Sequence, residues 1–123
     1  MTLSDFVNLV DVESNFVFLP RNGMTFCNCY AKVILAYLGV DLPNMTANNL
    51  AYWFSVRDDW TKDPGVKHDA VVAIVKGDPH GHIAVCVDEK NGIYTAAGAR
   101  NRKFCTIGQT FGKANPIIWY HKS

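Results

Sequence analysis

The 123-residue sequence lacks an excess of charge of either sign, because 12 Lys and Arg residues are balanced by 11 Asp and Glu residues. With a formal net charge of +1 and no Lys/Arg cluster, we expect no nucleic-acid partner. The N-terminus lacks a basic segment followed by an apolar run, and no apolar stretch is long enough to span a bilayer. We therefore expect synthesis in the cytoplasm without a signal peptide, and no membrane partner.

Repeats, low-complexity segments and linkers are also missing, and cysteine is sparse, with four residues in the chain. Because no signal directs the chain to an oxidising compartment, we expect these cysteines to be free thiols. Apolar residues make up 49% of the sequence, which is typical of a globular protein rather than a disordered one. The length suits a single core, so we predict one domain over residues 1–123.

The first half of the sequence predicts helices. Apolar residues recur at helical spacing over 26–38, with Thr25 as a candidate N-cap and Gly39 as a stop signal. A short helix is predicted within 3–13, and another should begin at Thr46. That last helix should bury three large apolar side chains, namely Leu50, Trp53 and Phe54.

The second half of the sequence predicts β-structure. Residues 57–68 are polar and contain a Pro-Gly pair, so we predict a loop there. Four apolar segments follow with the length and composition of strands, at 70–76, 82–88, 93–97 and 117–121. Asn91-Gly92 between two of them is typical of a two-residue hairpin turn. Helices followed by an antiparallel sheet define an α+β domain.

Cys27 is the candidate nucleophile. It lies in the first turn of the helix predicted over 26–38, where unpaired N–H groups and the helix dipole lower the pKa of a thiol. Cys29 is close in sequence but points about 200° around the helix, away from the apolar face. The alternative is that Cys27 is a small buried residue of the core, as most cysteines are.

His82 is the candidate general base, since it opens a predicted strand directly after Gly81. A glycine there permits close approach of another chain or a substrate. Thiol hydrolysis needs a thiolate, a base and a group that orients the base. A cysteine at a helix start followed by a histidine at a strand start is the order found in papain-like hydrolases, although a histidine in this position is often only structural.

Two segments carry a more specific resemblance. Cys27-Asn28-Cys29-Tyr30-Ala31 resembles the C-x-x-Y-A helix start of CHAP domains (cysteine, histidine-dependent amidohydrolase/peptidase). Gly81-His82-Ile83-Ala84-Val85 resembles their G-H-h-A-h segment, in which h is apolar, and Asp69 resembles the acidic residue that often opens the preceding strand. The resemblance covers roughly residues 15–121, which is nearly the whole chain.

The resemblance implies a papain-like fold, with N-terminal helices packed on a C-terminal antiparallel sheet. CHAP domains and the related NlpC-type domains mostly cleave amide bonds in peptidoglycan, as N-acetylmuramoyl-L-alanine amidases or as peptide endopeptidases. It therefore implies a monomeric cysteine hydrolase that needs no cofactor and no metal, and whose partner is peptidoglycan or its stem peptides. Such enzymes reach the bacterial wall after holin release in phage lysis, or by specialised secretion as toxins, in which case an immunity protein is a further partner.

The residue that orients His82 departs from the family pattern. CHAP domains carry a Glu, and an Asn two residues later, where this sequence has Ala97 and Ala99. A two-residue turn at Asn91-Gly92 followed by an uninterrupted ladder pairs residues whose numbers sum to 183. That register places Asn101 opposite His82, where its amide oxygen would accept the imidazole N–H. We therefore predict a Cys-His-Asn arrangement.

Residues outside the predicted helices and strands affect the predicted site in two ways. A bulge at Gly98 would shift the register that selects Asn101. The backbone N–H of Cys27 should stabilise the oxyanion, with help from an upstream side chain, for which Asn22 and Asn15 are the candidates.

Three alternatives compete with this hypothesis. A zinc site would take four ligands of suitable type, namely Cys27, Cys29, His80 and His82, although two cysteines two residues apart on a helix diverge. An inactive or binding module would keep the fold; the presence of both Cys27 and His82 argues against it, and the missing Glu leaves room for it. A thiol hydrolase acting on a protein amide or an acyl substrate would keep the mechanism and change the target.

Overall fold

The computed structural model of the protein describes residues 1–3, 5–7, 26–77, 81–90, 93–97, 105–106 and 115–123. Of these, residues 26–30, 90, 93–94, 96–97 and 105–106 are described by their backbone only. Residues 3 and 5–7 are helical, and two longer helices follow, α1 (Phe26–Tyr37) and α2 (Ala47–Ser55). None of the helices in these ranges is long and apolar enough to cross a bilayer.

Six strands form one antiparallel sheet in the described part of the chain. They are β1 (Trp60–Thr61), β2 (His68–Val75), β3 (His82–Lys90), β4 (Ile93–Ala97), β5 (Cys105–Thr106) and β6 (Ile117–Lys122). Their spatial order is β1-β6-β2-β3-β4-β5, so β2 is paired on both sides. The predicted α+β class, with helices preceding an antiparallel sheet, is confirmed.

The predicted loop over 57–68 is wrong at two points, since His68 already belongs to β2 and residues 60 and 61 form a short strand. Trp60 and Thr61 pair with His121 and Tyr120, and they form the edge strand β1. A two-residue strand is too short to show the alternation of apolar and polar residues by which strands are recognised in a sequence. Its first residue is buried, because the Trp60 ring packs edge-on against Phe54 of α2 at a centroid distance of 4.6 Å.

Helix α1 buries one face and ends at a glycine, as predicted. Ala31, Ile34 and Leu35 are fully buried in the main core. The chain leaves the helix through Gly39, which has a φ of +77°, a conformation that glycine adopts without steric cost. The N–H of Val40 then donates to the Leu35 carbonyl at 3.0 Å, which closes a Schellman-type C-cap. The predicted N-cap, residue 25, lies outside the described residues.

Helix α2 begins where the sequence predicts. The side-chain oxygen of Thr46 accepts a hydrogen bond from the N–H of Asn49 at 3.4 Å, and thus satisfies one of the free donors of the first turn. Leu50 and Phe54 are fully buried, as expected, whereas Trp53 is only half-buried.

The two faces of the sheet belong to different clusters, because successive side chains of a strand point to opposite sides. One face packs against α1 and α2 and carries Ala70, Val72, Ile74, Ile83, Val85 and Trp119. We call this the helix face. The opposite face forms a second, smaller cluster of Val71, Ala73, Ala84, Cys86 and Tyr120.

The β3–β4 hairpin contains a bulge that the sequence did not predict. Lys90 pairs with Ile93, so the connection has two residues, and the numbers of paired residues sum to 183 as far as Asp88 and Thr95. Beyond Val87, which has no partner in the ladder, the sum is 182. The expectation of an uninterrupted ladder is therefore wrong, because one extra residue in β3 shifts the register.

Candidate functional site

Three chain segments meet at one end of the sheet, which we call the His82 end. Val75, the last residue of β2, pairs with His82, the first residue of β3. On the other side of β2, Ile74 pairs with Ile117, the first residue of β6. The end of β2 and the beginnings of β3 and β6 therefore lie together, because neighbouring strands run in opposite directions.

The first turn of α2 is fixed to the His82 end by one side chain. The Nδ2 group of Asn48 donates to the carbonyl oxygen of Gly77 at 2.8 Å, and the N–H of Gly77 donates to Asn48 Oδ1 at 2.9 Å. One carboxamide thus satisfies both backbone groups of the residue at which the chain leaves β2. Since this residue lies in the β2–β3 connection, Asn48 holds that connection against α2.

Gly81 requires the backbone freedom of glycine at this end. It has a φ of +76°, and a Cβ atom built there would lie 2.6 Å from the Val75 carbonyl oxygen and 2.6 Å from Asn48 Oδ1. The groups that approach Gly81 closely belong to this chain itself, to β2 and to α2. The backbone on which His82 begins is therefore held from two sides.

The beginning of α1 lies toward the same end. β3 is the main strand partner of α1, and Ile34 and Leu35 share the core with Ile83. At the other end of the helix, Leu38 lines a cavity together with Val87. The helix spans about 18 Å, and β3 between residues 87 and 82 spans about 17 Å. The first turn, which contains position 27, is therefore directed toward the beginning of β3.

The side chain of His82 leaves β3 on the face opposite to α1. It is half-buried, and by alternation it shares a face with Ala84 and Cys86, whereas Ile83 lies on the helix face. Its direct neighbour Val75 also packs against the cluster of the opposite face. For the imidazole to meet a thiol carried by α1, it must therefore reach around the end of the sheet.

Several predicted site residues lie outside the described part of the chain. These are Asn15, Asn22, His80 and Asn101, and for Cys27 and Cys29 only the backbone is described. The register that selected Asn101 does not hold past the bulge at Val87. The described ladder between β3 and β4 ends at the pair of Val85 and Ala97, so the residue opposite His82 lies outside the described part of the chain.

Asp69 lies near the beginning of β2, far from the His82 end. There it forms a hydrogen bond with a histidine that the sequence analysis did not identify as a site residue. The Nδ1 atom of His121 lies 2.7 Å from Asp69 Oδ1, and its Nε2 atom lies 3.7 Å from Asp59 Oδ2. Arg57 makes a side-chain hydrogen bond to Asp59, which lowers the pKa of that carboxyl below its usual value. No local sequence signal could have found the pairing of Asp69 with His121, since 52 residues separate the two.

Cys86 has the properties of a structural cysteine. It is a free thiol, buried on the face opposite to the helices, and burial raises its pKa from 9.0 to about 12. At neutral pH such a thiol stays protonated, and the protonated form is a poor nucleophile.

Among the side chains that the structure describes, no three His, Cys, Asp or Glu residues come close enough together to hold a metal ion. The zinc alternative needs four ligands. Three of them lie outside the side chains that the structure describes, namely Cys27, Cys29 and His80, so the structure does not test this alternative.

Comparison with known proteins adds no support to the resemblance to CHAP domains, which rests only on the two sequence segments described above. No family model matches the sequence, and a search of curated proteins finds no match. In the structure, the segment beginning at Cys27 lies in the first turn of α1, and this turn is the end of the helix nearer to the His82 end. The segment containing His82 begins a strand there. His82 and α1 lie on different faces of the sheet.

Proposed function

We propose that the chain is a CHAP-type peptidoglycan hydrolase of papain-like fold, which cleaves an amide bond by a thiol mechanism. Cys27 is the nucleophile and His82 the general base. The observation that carries this proposal is that the helix start bearing Cys27 is directed toward the end of the sheet at which His82 begins β3.

In the proposed mechanism, His82 accepts the thiol proton of Cys27, and the thiolate attacks the carbonyl carbon of the amide. The N–H of Cys27 stabilises the resulting oxyanion, with Asn22 or Asn15 as the second donor. The C–N bond breaks as the imidazolium returns its proton to the leaving amine. Water then hydrolyses the thioester, His82 accepts the proton from that water and returns it to the thiol, and the acid product leaves. No cofactor or metal takes part.

The proposed site of action is the bacterial cell wall. The substrate is peptidoglycan, cut either between N-acetylmuramic acid and L-alanine or within the peptides. An enzyme made in the cytoplasm reaches this substrate after holin release or by specialised secretion, and a secreted toxin of this kind would be controlled by an immunity protein. The enzyme acts as a monomer.

Mass spectrometry of the soluble muropeptides released from purified peptidoglycan tests the proposal, because it identifies the bond that is cut. The wild-type protein should release fragments of one new type. Cys27→Ala should release none, while the matched variant Cys29→Ala, in the same turn, should keep most of the activity. Activity in Cys27→Ala together with its loss in Cys29→Ala would contradict the assignment of the nucleophile.

A second candidate function is a binding module of the same fold without catalysis. The position of His82 on the face opposite to α1 favours it, because a base that cannot reach the thiol cannot accept its proton. The absence of the family's Glu points in the same direction. A binding module would sediment with purified peptidoglycan and release no fragments, and Cys27→Ala would leave its binding unchanged.

A further inference from the structure

A groove of about 400 Å³ lies between α2 and the sheet next to the His82 end. We call it the lysine groove and define it by Tyr52, Ser55, Lys62, Lys76, Ile117 and Trp119. Its volume falls within the range typical of sites for small ligands. The four segments that line it, α2, β6 and the residues after β1 and after β2, come from distant parts of the sequence, so no local motif reveals it.

Among the residues that the structure describes, the charged ones that line the groove are all of one sign. They are Lys62 and Lys76, both exposed, and no described acidic side chain joins them. Neither lysine forms an ion pair with the described residues of the chain. The nearest carboxylate in sequence to Lys62, Asp63, instead accepts the N–H of Gly65 at 2.9 Å. The groove therefore attracts a negatively charged ligand.

The walls of the groove add apolar surface. Tyr52 on α2 is 67% exposed and Ile117 on β6 is 45% exposed, and both are large side chains that water solvates poorly. Between them, the ammonium group of Lys62 lies 5.3 Å from the centroid of the Trp119 ring, so this lysine is drawn against the groove by a cation–π contact. Apolar walls with two cations, of which Lys62 contacts the Trp119 ring, suit a peptide that carries carboxylates.

The groove adjoins the proposed reaction centre. Val75 and Lys76 line it, and Val75 is the residue that pairs with His82. Adjacent strands lie about 5 Å apart, so the groove is within about 10 Å of the His82 backbone. An extended peptide advances about 3.4 Å per residue. About three residues therefore span the distance from the groove to the His82 backbone.

We infer that the lysine groove binds the carboxylate-bearing part of a peptide substrate, and that the lysines pair with its free carboxylates. This inference rests on the proposed function, under which the occupant is the stem peptide of peptidoglycan. The groove would then select stem peptides with free rather than amidated carboxyl groups. It would also hold the substrate so that the bond to be cut lies at the His82 end.

Binding to the Cys27→Ala protein tests the inference without turnover. The probes are two fluorescent synthetic stem peptides of one sequence, one with free carboxylates and one fully amidated, followed by fluorescence anisotropy. We expect the peptide with free carboxylates to bind at least tenfold more tightly than the amidated peptide, and we expect its affinity to fall as salt is added. The double substitution Lys62→Gln with Lys76→Gln should remove this preference. The matched control, Lys67→Gln with Lys122→Gln, changes two exposed lysines at the other end of the sheet and should keep it.

Equal affinity for both peptides, or equal losses in the groove pair and the control pair, would overturn the inference. Its failure is distinguishable from that of the proposed function. If the wild-type protein releases muropeptides and the groove variant has the same KM, the groove is not the subsite although the enzyme assignment stands. If the groove lysines are needed for peptide binding but no fragments are released, the inference stands and the enzyme assignment fails.

Discussion

At the scale of single residues, burial decides which chemistry a thiol can perform. Cys86 lies among apolar neighbours on the face opposite to the helices, and the loss of hydration raises its pKa to about 12. The proposed nucleophile, Cys27, begins a helix instead, where the dipole favours the thiolate. We therefore expect the same residue type to be inert in one place and reactive in the other.

The raised pKa of Cys86 predicts a loss of stability at alkaline pH. Below the usual thiol pKa of 9.0, both the folded and the unfolded chain carry the proton. As the pH rises from 9.0 toward 12, the unfolded chain releases it and the folded chain retains it, so the free energy of unfolding falls. The slope contributed by this thiol is at most about 1.4 kcal/mol per pH unit.

Urea unfolding of the wild type and of Cys86→Ala at pH 8 and pH 10 measures this contribution. The wild type should lose more stability between the two pH values than the variant does, since other alkaline groups titrate in both proteins. Equal losses would mean that the thiol is accessible to water in the folded state.

Gly81 and Gly39 form a matched pair for testing steric constraint. Their φ values are almost equal, at +76° and +77°, but a Cβ would meet nothing within 4 Å at Gly39 and would lie 2.6 Å from two oxygen atoms at Gly81. Gly39→Ala should cost about 1–2 kcal/mol from backbone strain alone. Gly81→Ala adds overpacking and should cost about 2–5 kcal/mol. Thermal unfolding of both variants gives the comparison, and equal costs would contradict the close approach at Gly81.

At the scale of elements, the junction between α2 and the β2–β3 connection depends on Asn48. Its carboxamide makes two hydrogen bonds to Gly77, and Asn48→Ala should cost about 1–2 kcal/mol of stability through their loss. Asn49→Ala is the control, since Asn49 is exposed and its bond to Thr46 uses the backbone N–H, which alanine keeps. Chemical denaturation should separate the two variants, and equal destabilisation would show that the junction does not depend on this side chain.

The elements that the sequence predicts best are those in which a periodic apolar pattern extends over enough residues to be recognised and a boundary residue marks one end. Helix α1 ends at the predicted glycine, α2 begins after the predicted Thr46 cap, and β4 has the predicted bounds, Ile93–Ala97. The misses are the two-residue strands β1 and β5, which are too short for a period to show. The bulge at Val87 depends on how β3 and β4 pair and has no signature in either strand alone.

At the scale of the whole molecule, the candidate site is predictable only in part. The prediction that Cys27 and His82 share one site rests on the order of residues in papain-like hydrolases, and the structure describes a helix start at Phe26 and a strand start at His82. The residue opposite His82 on the β4 side depends on the register of the hairpin, which the bulge at Val87 shifts by one residue. The lysine groove joins residues from α2, β6 and the segments after β1 and β2, and only tertiary structure brings these together.

The coupling of His82 to Cys27 decides between the hydrolase and the binding module, and the rate of thiol labelling measures it. In a hydrolase, His82→Ala should lower turnover by about 100- to 10,000-fold and slow the alkylation of Cys27 by iodoacetamide near neutral pH, because the imidazolium stabilises the thiolate. His80→Ala is the control and should change neither rate. A histidine that only completes the far face of the sheet would instead lower the unfolding midpoint and leave the labelling rate of the folded protein as it was. Unchanged labelling in folded His82→Ala would therefore mean that the imidazole does not reach around the end of the sheet, and the binding module would be the better description of the chain.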